Sequence, residues 1–307
     1  MELKQLLALV TVGDTGSVTK AARLLHVVQP AVSRYIRALE DEVGVPLFER
    51  SRQGMTLTPA GEVLAERARR ALLELDRARA EIRPDREHVR GIVTIGLLES
   101  TVELVAAPLV EVLGRRHPGI DVRILSAFSG HLKQWLDDGA VDMSLLYNVN
   151  STPSIAVTPL LREALWAIAP PGADFGREAL TWDRVCENPL ILPVAGHGLR
   201  TLVDEALGTA PTIVCQTNSM PVQKRLVAAG TGWSVLPAAG VAEDVAAGRL
   251  RGGPIVDPAI SRTIVLALPR AGRIPPAAEV AATEIVRVTH RLVEAGTWPT
   301  ASVAQAW

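Results

Sequence analysis

The chain has 307 residues, 48% of them hydrophobic, with 32 lysines and arginines against 33 aspartates and glutamates. That length supports one small and one or two larger cored units, and a net charge of −1 excludes a protein that is basic over its whole surface. The balance is divided: 15 cations against 13 anions through Arg90, then 17 against 20, so any polyanion would be met by a local patch. The two cysteines, Cys186 and Cys215, are too few and too far apart for a metal motif and read as buried, reduced thiols, which fits a cytoplasmic home. The start carries acidic Glu2 and an amphipathic Leu3, Leu6, Leu7, Val10 stripe instead of a charged leader and apolar block. No apolar run reaches membrane-spanning length, so a soluble, unexported protein with no membrane partner is expected.

In chain order, a first helix from about Leu3 to Val12 is expected to close a small core with that stripe. Ser17 is a good N-cap for a helix over Val18 to Leu25, whose Ala21, Ala22 and Leu25 make a small-residue face for close helix approach. After a turn at His26 and Val27, Pro30 sits near a helix start, where its missing N–H is harmless. Val32, Ile36, Leu39 and Val43 then recur at helical spacing, which leaves Gln29, Ser33, Arg34 and Arg37 outward. No acidic residue falls between Thr15 and Leu39, while Lys20, Arg23, Arg34 and Arg37 do. Amide, hydroxyl and guanidinium groups on an exposed helix suit the major groove of DNA. A hairpin follows, with Leu47 and Phe48 leading to a turn at Ser51-Arg52-Gln53-Gly54 and a return strand Met55 to Leu57. Arg50 and Arg52 on it are placed to reach a phosphate or the minor groove; by itself such a hairpin is as well explained as a solvated turn.

Ser17, Ala21-Ala22, Leu25, Gln29-Pro30-Ala31-Val32-Ser33, Ile36, Leu39-Glu40, Gly44-Val45, Leu47-Phe48-Glu49-Arg50, Leu57-Thr58 and Gly61 together resemble the winged helix-turn-helix of LysR-type transcriptional regulators. Val28 departs from the pattern, standing where the family usually has a Ser that caps the recognition helix; the missing cap is worth roughly 1 kcal/mol and a phosphate contact. The resemblance implies that Gln29, Pro30, Ser33, Arg34, Arg37, Arg50 and Arg52 bind double-stranded DNA at an imperfect inverted repeat near a promoter. It also implies a homo-oligomer built as a dimer of dimers, DNA bending altered by an effector, and RNA polymerase as a further partner.

Thr58-Pro59 opens the longest helix, in which Leu64, Ala68, Ala71, Leu75, Ala78 and Ile82 form an a/d seam suited to a partner helix; the alternative is a helix lying on its own domain. Pro84 ends it, and the charged Arg83 to Arg90 segment is a linker. From Gly91 strands alternate with helices: Ile92 to Leu97, Val122 to Leu125, Val141 to Leu146, Leu165 to Ala169, Leu190 to Leu192, Ile213 to Gln216, Trp233 to Leu236 and Thr263 to Leu268 are strands, and a helix from Ala277 to Ala295 closes the unit. The alternation predicts an α/β fold with mostly parallel sheets in two lobes. The tail from Trp298 has no clear pattern, although its two tryptophans argue for some packing. The family resemblance, which extends along the whole chain, implies two subdomains like those of periplasmic binding proteins. The expected domains are 1–58 (winged helix-turn-helix), 59–90 (dimerisation helix and hinge) and 91–307 (effector binding), with lobe I at about 91–161 and 268–297, lobe II at about 162–267, and crossings near Leu161 and Ala267.

In open α/β sheets ligands sit beyond the carboxyl ends of strands, at helix N-termini. Four such ends carry small polar residues: Glu99-Ser100-Thr101, Ser129-Gly130, His197-Gly198 with Arg200, and Asn218-Ser219. Ser100, Thr101, Ser129, Gly130, His197, Arg200 and Asn218 are the candidate effector residues, and hydroxyls, backbone N–H groups and one Arg favour a small anion such as a carboxylate. Singly, the serines are better explained as helix caps, and Arg200 has a plain explanation as a surface ion pair; the convergence of four strand ends is what favours binding. Ser129-Gly130-His131-Leu132, Trp135-Leu136, Gly139, Asp142, Leu146-Tyr147 and His197-Gly198-Leu199-Arg200 resemble a subset of the family that includes regulators of nitrogen assimilation, some of which need no added small molecule. Gly230-Thr231-Gly232 lacks the spacing of a nucleotide loop and reads as structural. A solute-binding or sensor protein without DNA affinity is the alternative, and it would need an export signal or membrane partner. No nucleophile with its base and oxyanion site, no metal spacing and no phosphate loop is present, so neither an enzyme nor a cofactor is expected.

Overall fold

A computed structural model describes residues 1–51, 54–82, 89–175, 180–206, 211–270 and 274–304. The chain divides into two compact units, Met1–Pro84 and Asp85–Trp307.

In the first unit, α1 (Leu3–Thr15), α2 (Val18–Leu24) and α3 (Gln29–Val43) are followed by a hairpin of β1 (Phe48–Ser51) and β2 (Gly54–Leu57), then by α4 (Pro59–Ile82). Ser17 caps α2 by accepting from the Lys20 N–H at 3.3 Å, and Gly16 and Gly44 close α1 and α3 in the left-handed conformation that glycine adopts without strain. The buried residues of α1 are Ala8, Leu9 and Val12. This corrects the expected Leu3, Leu6, Leu7, Val10 stripe: Leu6 and Val10 lie at the margin of the core and Leu7 is exposed. The run Leu6 to Val12 is apolar except for Thr11, so its periodicity cannot single out one face. Packing of α1 against α2, α3 and α4 makes that choice.

Three residues join the hairpin to its neighbours. The Glu40 carboxylate accepts from the backbone N–H groups of Leu47 (2.8 Å) and Phe48 (3.3 Å), tying the end of α3 to the start of the hairpin. Thr58 Oγ1 accepts from the Gly61 N–H at 3.0 Å and donates to Pro46 O at 2.8 Å, which caps α4. Gly61 lies so close to the chain that a Cβ there would overlap the Leu47 carbonyl oxygen. Because the obstacle is backbone, Gly61→Ala is expected to destabilise this unit by about 1–3 kcal/mol; chemical denaturation of the full chain measures it.

The first turns of α4 belong to this unit's own core through Ala65 and Ala68, with Leu64 packed against it. Ala68 therefore serves its own domain, which corrects the reading of the whole seam as a face for a partner. Ala71, Leu75 and Ala78 remain exposed. The side chain of Ile82 and the linker 83–88 lie outside the described residues.

The second unit has one continuous sheet carrying two cores. In the first lobe, parallel β3 (Gly91–Leu98), β4 (Ile120–Ala127) and β5 (Met143–Tyr147) are flanked by α5 (Val102–Arg116), α6 (Ser129–Asp137) and α11 (Pro276–Glu294). In the second, parallel β7 (Leu190–Leu192), β8 (Ile213–Gln216) and β9 (Trp233–Pro237) accompany α8 (Gly198–Ala206) and α9 (Met220–Ala228). Two long antiparallel strands, β6 (Ile155–Ala169) and β11 (Ser261–Pro269), join the lobes, giving the order β4-β3-β5-β11-β6-β9-β7-β8. The α/β two-lobed architecture stands, and the strands that cross between lobes are the antiparallel ones.

Leu161 belongs to the first core and Leu165 to the second, so β6 crosses between them. Ile260, just before β11, belongs to the second core, while Ile264 to Ala267 on β11 lie in the first. Ala267 pairs with Ser144 and Val157, inside lobe I, and the second crossing falls near Arg262 instead of residue 267. The sequence also shows β6 ten residues too short, because Thr158-Pro159 and Arg162-Glu163 interrupt its apolar pattern. Pro159 is accommodated where the β6–β11 register shifts. Short elements pass unread from sequence: α7 (Trp182–Cys186), α10 (Ala242–Ala246), β10 (Arg251–Pro254) and β12 (Ala301–Val303). The last pairs with Leu161 to Glu163 on β6, and Trp298 before it is fully buried, so the described part of the tail is integral to the unit.

Candidate functional site

Two surfaces carry the chemistry. On α3, Val32, Ile36 and Leu39 are buried, and Gln29, Pro30, Arg34 and Arg37 are exposed with Ser33 half-buried. Lys20 and Arg23 on α2 are exposed as well. The helix begins at Val28, which offers no side-chain cap and is 70% exposed. Val28→Ser supplies the missing acceptor for a free N–H and is expected to stabilise the unit by about 1 kcal/mol, measured as a shift of the denaturation midpoint. Arg52 and the side chain of Arg50 lie outside the described residues.

The second surface is a cleft at the carboxyl ends of the parallel strands of both lobes. The ends of β3, β4 and β5 contribute Glu99 and Ser100, Phe128 and Ser129, and Tyr147; those of β7, β8 and β9 contribute His197, Asn218 and Pro237. This is the location expected for ligands in doubly wound sheets. Ser100, Ser129, His197 and Asn218 border one chamber, and Ser129, Gly130, His197 and Asn218 border an adjoining volume of about 440 Å³.

Two candidates are corrected. Thr101 is fully buried and donates to Leu98 O at 2.9 Å, closing its own turn. Arg200 is held by Asp204 (2.6 Å), Pro193 O (3.2 Å) and Gln216 Oε1 (3.1 Å), and it does not line the cleft. One turn of α8 separates Arg200 from Asp204, so the intrahelical partner takes the guanidinium away from the site.

The cation at the cleft is Arg262, which sequence reasoning missed. Its Nε and Nη2 donate to Glu163 Oε1 (2.8 and 2.6 Å), and Nη2 also donates to Ser100 Oγ (2.6 Å). The other carboxylate oxygen of Glu163 accepts from Trp298 Nε1 at 2.8 Å. All four side chains are buried, and they sit where β6 and β11 cross between lobes. Arg262 lies 4.9 Å from the centre of the Tyr147 ring, and that tyrosine packs its hydroxyl against Gly198 of the opposite lobe, where a Cβ would stand 2.6 Å away. Tyr147 had a signal, being a polar aromatic at a strand end. Arg262 had none, because it lies within a strand and only tertiary pairing brings it to the site.

Burial pushes the Tyr147 hydroxyl pKa up, against the pull of Arg262 and the Leu199 backbone N–H. Burial also raises Glu99 despite Lys224 nearby. His197 is held below the usual histidine value by burial, then by Arg262 and His131. Its ring meets Phe128 edge-on at 4.5 Å, and its Nδ1 accepts from the Leu199 N–H at 3.2 Å. Cys186 and Cys215 are half-buried free thiols, not fully buried ones, and the Cys186 pKa is raised by burial and by Asp183. Among the described residues there is no group of three or more potential metal ligands, and no helix is long and apolar enough to cross a membrane.

A winged helix-turn-helix joined in one chain to a two-lobed unit with an interlobe cleft defines a transcriptional regulator built to read DNA with one part and a small molecule with the other. Residues 3–62 match the model of the bacterial regulatory helix-turn-helix of the lysR family, and residues 86–289 match the LysR substrate binding domain. The chain belongs to the LysR family of transcriptional regulators. It is 32% identical to the HTH-type transcriptional regulator BbuR of Bordetella bronchiseptica over 83% of this chain and 80% of that protein. It is 28% identical to the nitrogen assimilation regulatory protein nac of Klebsiella aerogenes over 95% and 96%. The fold resembles that of full-length CbnR crystallised with its target DNA, with a TM-score of 0.69, 24% identity, and coverage of 94% of this chain and 100% of that one.

Proposed function

We propose that α3 lies in the major groove and reads a promoter inverted repeat through Gln29, Pro30, Ser33, Arg34 and Arg37, with Arg50 and Arg52 of the hairpin on the flanking backbone. The observation that carries this is the division of α3 into a buried apolar face and an exposed face of amide and guanidinium groups, with no acid from Thr15 to Leu39. That face disfavours a sensor without DNA affinity. The exposed Ala71, Leu75, Ala78 surface of α4 supports pairing into a dimer, and two such dimers would form the tetramer common to this reading, in the cytoplasm and in reach of RNA polymerase. Small alanines bury little area, so other contacts must help hold each dimer.

The cleft residues Ser100, Ser129, Gly130, His197 and Asn218, joined by Tyr147 and Arg262, bind a small effector. A ligand that binds one arrangement of the lobes better shifts the oligomer toward the matching DNA geometry. The chain is a regulator and carries no catalytic role in this reading. Footprinting of the full chain on its own promoter region tests the proposal. Protection of two half-sites about 34 Å apart on one face of the duplex is the expected result, and a promoter left uniformly unprotected would refute it.

A further inference from the structure

The cleft consists of an inner chamber and an outer vestibule that meet at one ring of residues. The chamber, about 40 Å³, is walled by Leu98, Ala127, Leu199, Met220, Leu236 and Pro237, room for a short branched alkyl group or the edge of a ring. The vestibule, about 440 Å³, is bordered by Gly130, His131, Gln134 and the Val194 to Gly198 loop. Phe128, Ser129, Tyr147, His197 and Asn218 border both. A ligand spanning the two would be apolar at its inner end and polar beyond the ring.

The expectation of an anion drew on hydroxyls, backbone N–H groups and one cation, Arg200, whose guanidinium is committed to Asp204. At the chamber the charged side chains are Arg262 and Glu99. Arg262 is already neutralised by Glu163, with which it shares two hydrogen bonds. Glu99 adds a carboxylate partly withdrawn from water. An entering anion would give up its hydration without meeting an uncompensated cation.

One group at the ring does lack a partner. His197 Nε2 is buried and makes no hydrogen bond. The Leu199 N–H is donated to Nδ1, so a neutral ring carries its proton on Nε2, and burial with Arg262 and His131 nearby favours that neutral form. A buried donor without an acceptor is unfavourable until something accepts from it.

We propose that the effector is an uncharged molecule with a compact apolar head and one hydrogen-bond acceptor, the head filling the inner chamber and the acceptor, a carbonyl oxygen of the amide, ester or ketone class, taking the proton of His197 Nε2. This rests on the reading of the cleft as an effector site. Calorimetric titration and thermal melts of the full chain test it with two matched pairs at millimolar concentration, isobutyramide against isobutyrate and benzamide against benzoate. The amides are expected to bind and raise the melting temperature, and the carboxylates to bind at least about tenfold more weakly. His197→Phe keeps a flat ring against Phe128 without the donor, and it should weaken amide binding about tenfold, the worth of one hydrogen bond. His197→Gln, which retains a donor, should restore most of that loss. Carboxylates that bind as well as or better than the amides overturn the proposal and leave the cleft an effector site. Unchanged amide affinity in a folded His197→Phe variant overturns the anchor, and the wild-type pairs decide the charge question if that variant does not fold. Silence of all four compounds overturns the proposal together with the effector reading.

Discussion

Replacing Glu163 with alanine is expected to lower the melting temperature of the Asp85–Trp307 unit by roughly 6–20 °C. Glu163 is 0% exposed and Arg262 only 3%, so removing the carboxylate leaves a guanidinium buried without its counter-ion and the Trp298 indole N–H without an acceptor. Breaking a buried pair by deleting one partner destabilises by about 3–5 kcal/mol, and a domain of this size shifts by about 2–4 °C per kcal/mol. Glu163→Gln, which keeps the shape and one acceptor oxygen but loses the charge and sets an NH2 against the other donor, should fall between the parent and the alanine variant. A double replacement of Glu163 by Leu and Arg262 by Met should recover part of the loss, since no charge is then left unpaired. Thermal melts of the three variants check this. An alanine variant melting within a degree or two of the parent would show that the pair is solvated and does not clasp the crossing.

The position of the network makes its loss reach further than stability. Glu163 and Arg262 face each other across β6 and β11 where the chain passes between lobes, and Arg262 also holds Ser100 at the start of the first lobe's α5 region. The short strand Ala301–Val303 adds to the same stretch of β6, with Trp298 reaching Glu163. Four separate segments of the sequence thus converge on the point about which the lobes would move.

Arg34→Ala should weaken binding to the specific operator by about 1–3 kcal/mol, or roughly fivefold to 150-fold, and leave binding to unrelated duplex within about threefold. Arg34 is exposed on the second turn of α3, on the side opposite Val32, Ile36 and Leu39, and it has the reach for a guanine edge. Lys20→Ala, removing a flanking cation, should instead weaken both DNAs alike and flatten the salt dependence by about one charge. Fluorescence titrations at matched ionic strength separate the two behaviours. Equal losses of affinity on both DNAs for Arg34→Ala would place this arginine on the phosphate backbone and remove it from base reading.

The first unit was nearly legible as text because its elements are local. Ser17 caps its own helix, Thr58 caps the helix that follows it, and Glu40 reaches a hairpin only seven residues on. The α1 stripe failed for the opposite reason: a helix apolar nearly all round takes its buried face from whatever packs on it. In the second unit the alternation of strands and helices gave the class of fold and the strand ends that border the cleft. Ser129, Gly130, His197 and Asn218 were readable because small polar residues after a parallel strand have few other places to go. Arg200 misled because a nearby Asp204 on the same helix takes its guanidinium away from the cleft.

What the sequence by itself determined is therefore the family, the two-part plan, the outward face of α3 and the strand-end half of the cleft, since each is set by residues within a turn or two of one another. Only the tertiary structure decided which cation serves the cleft, that it is already neutralised, where the lobes cross and why the tail is needed. Those features depend on pairings such as Glu163 with Arg262 and Trp298, separated by about a hundred residues or more. Burial decides their energetics, because in a low-dielectric crossing a charge either finds its partner or destabilises the fold, and burial is a property of the folded chain that no local pattern encodes.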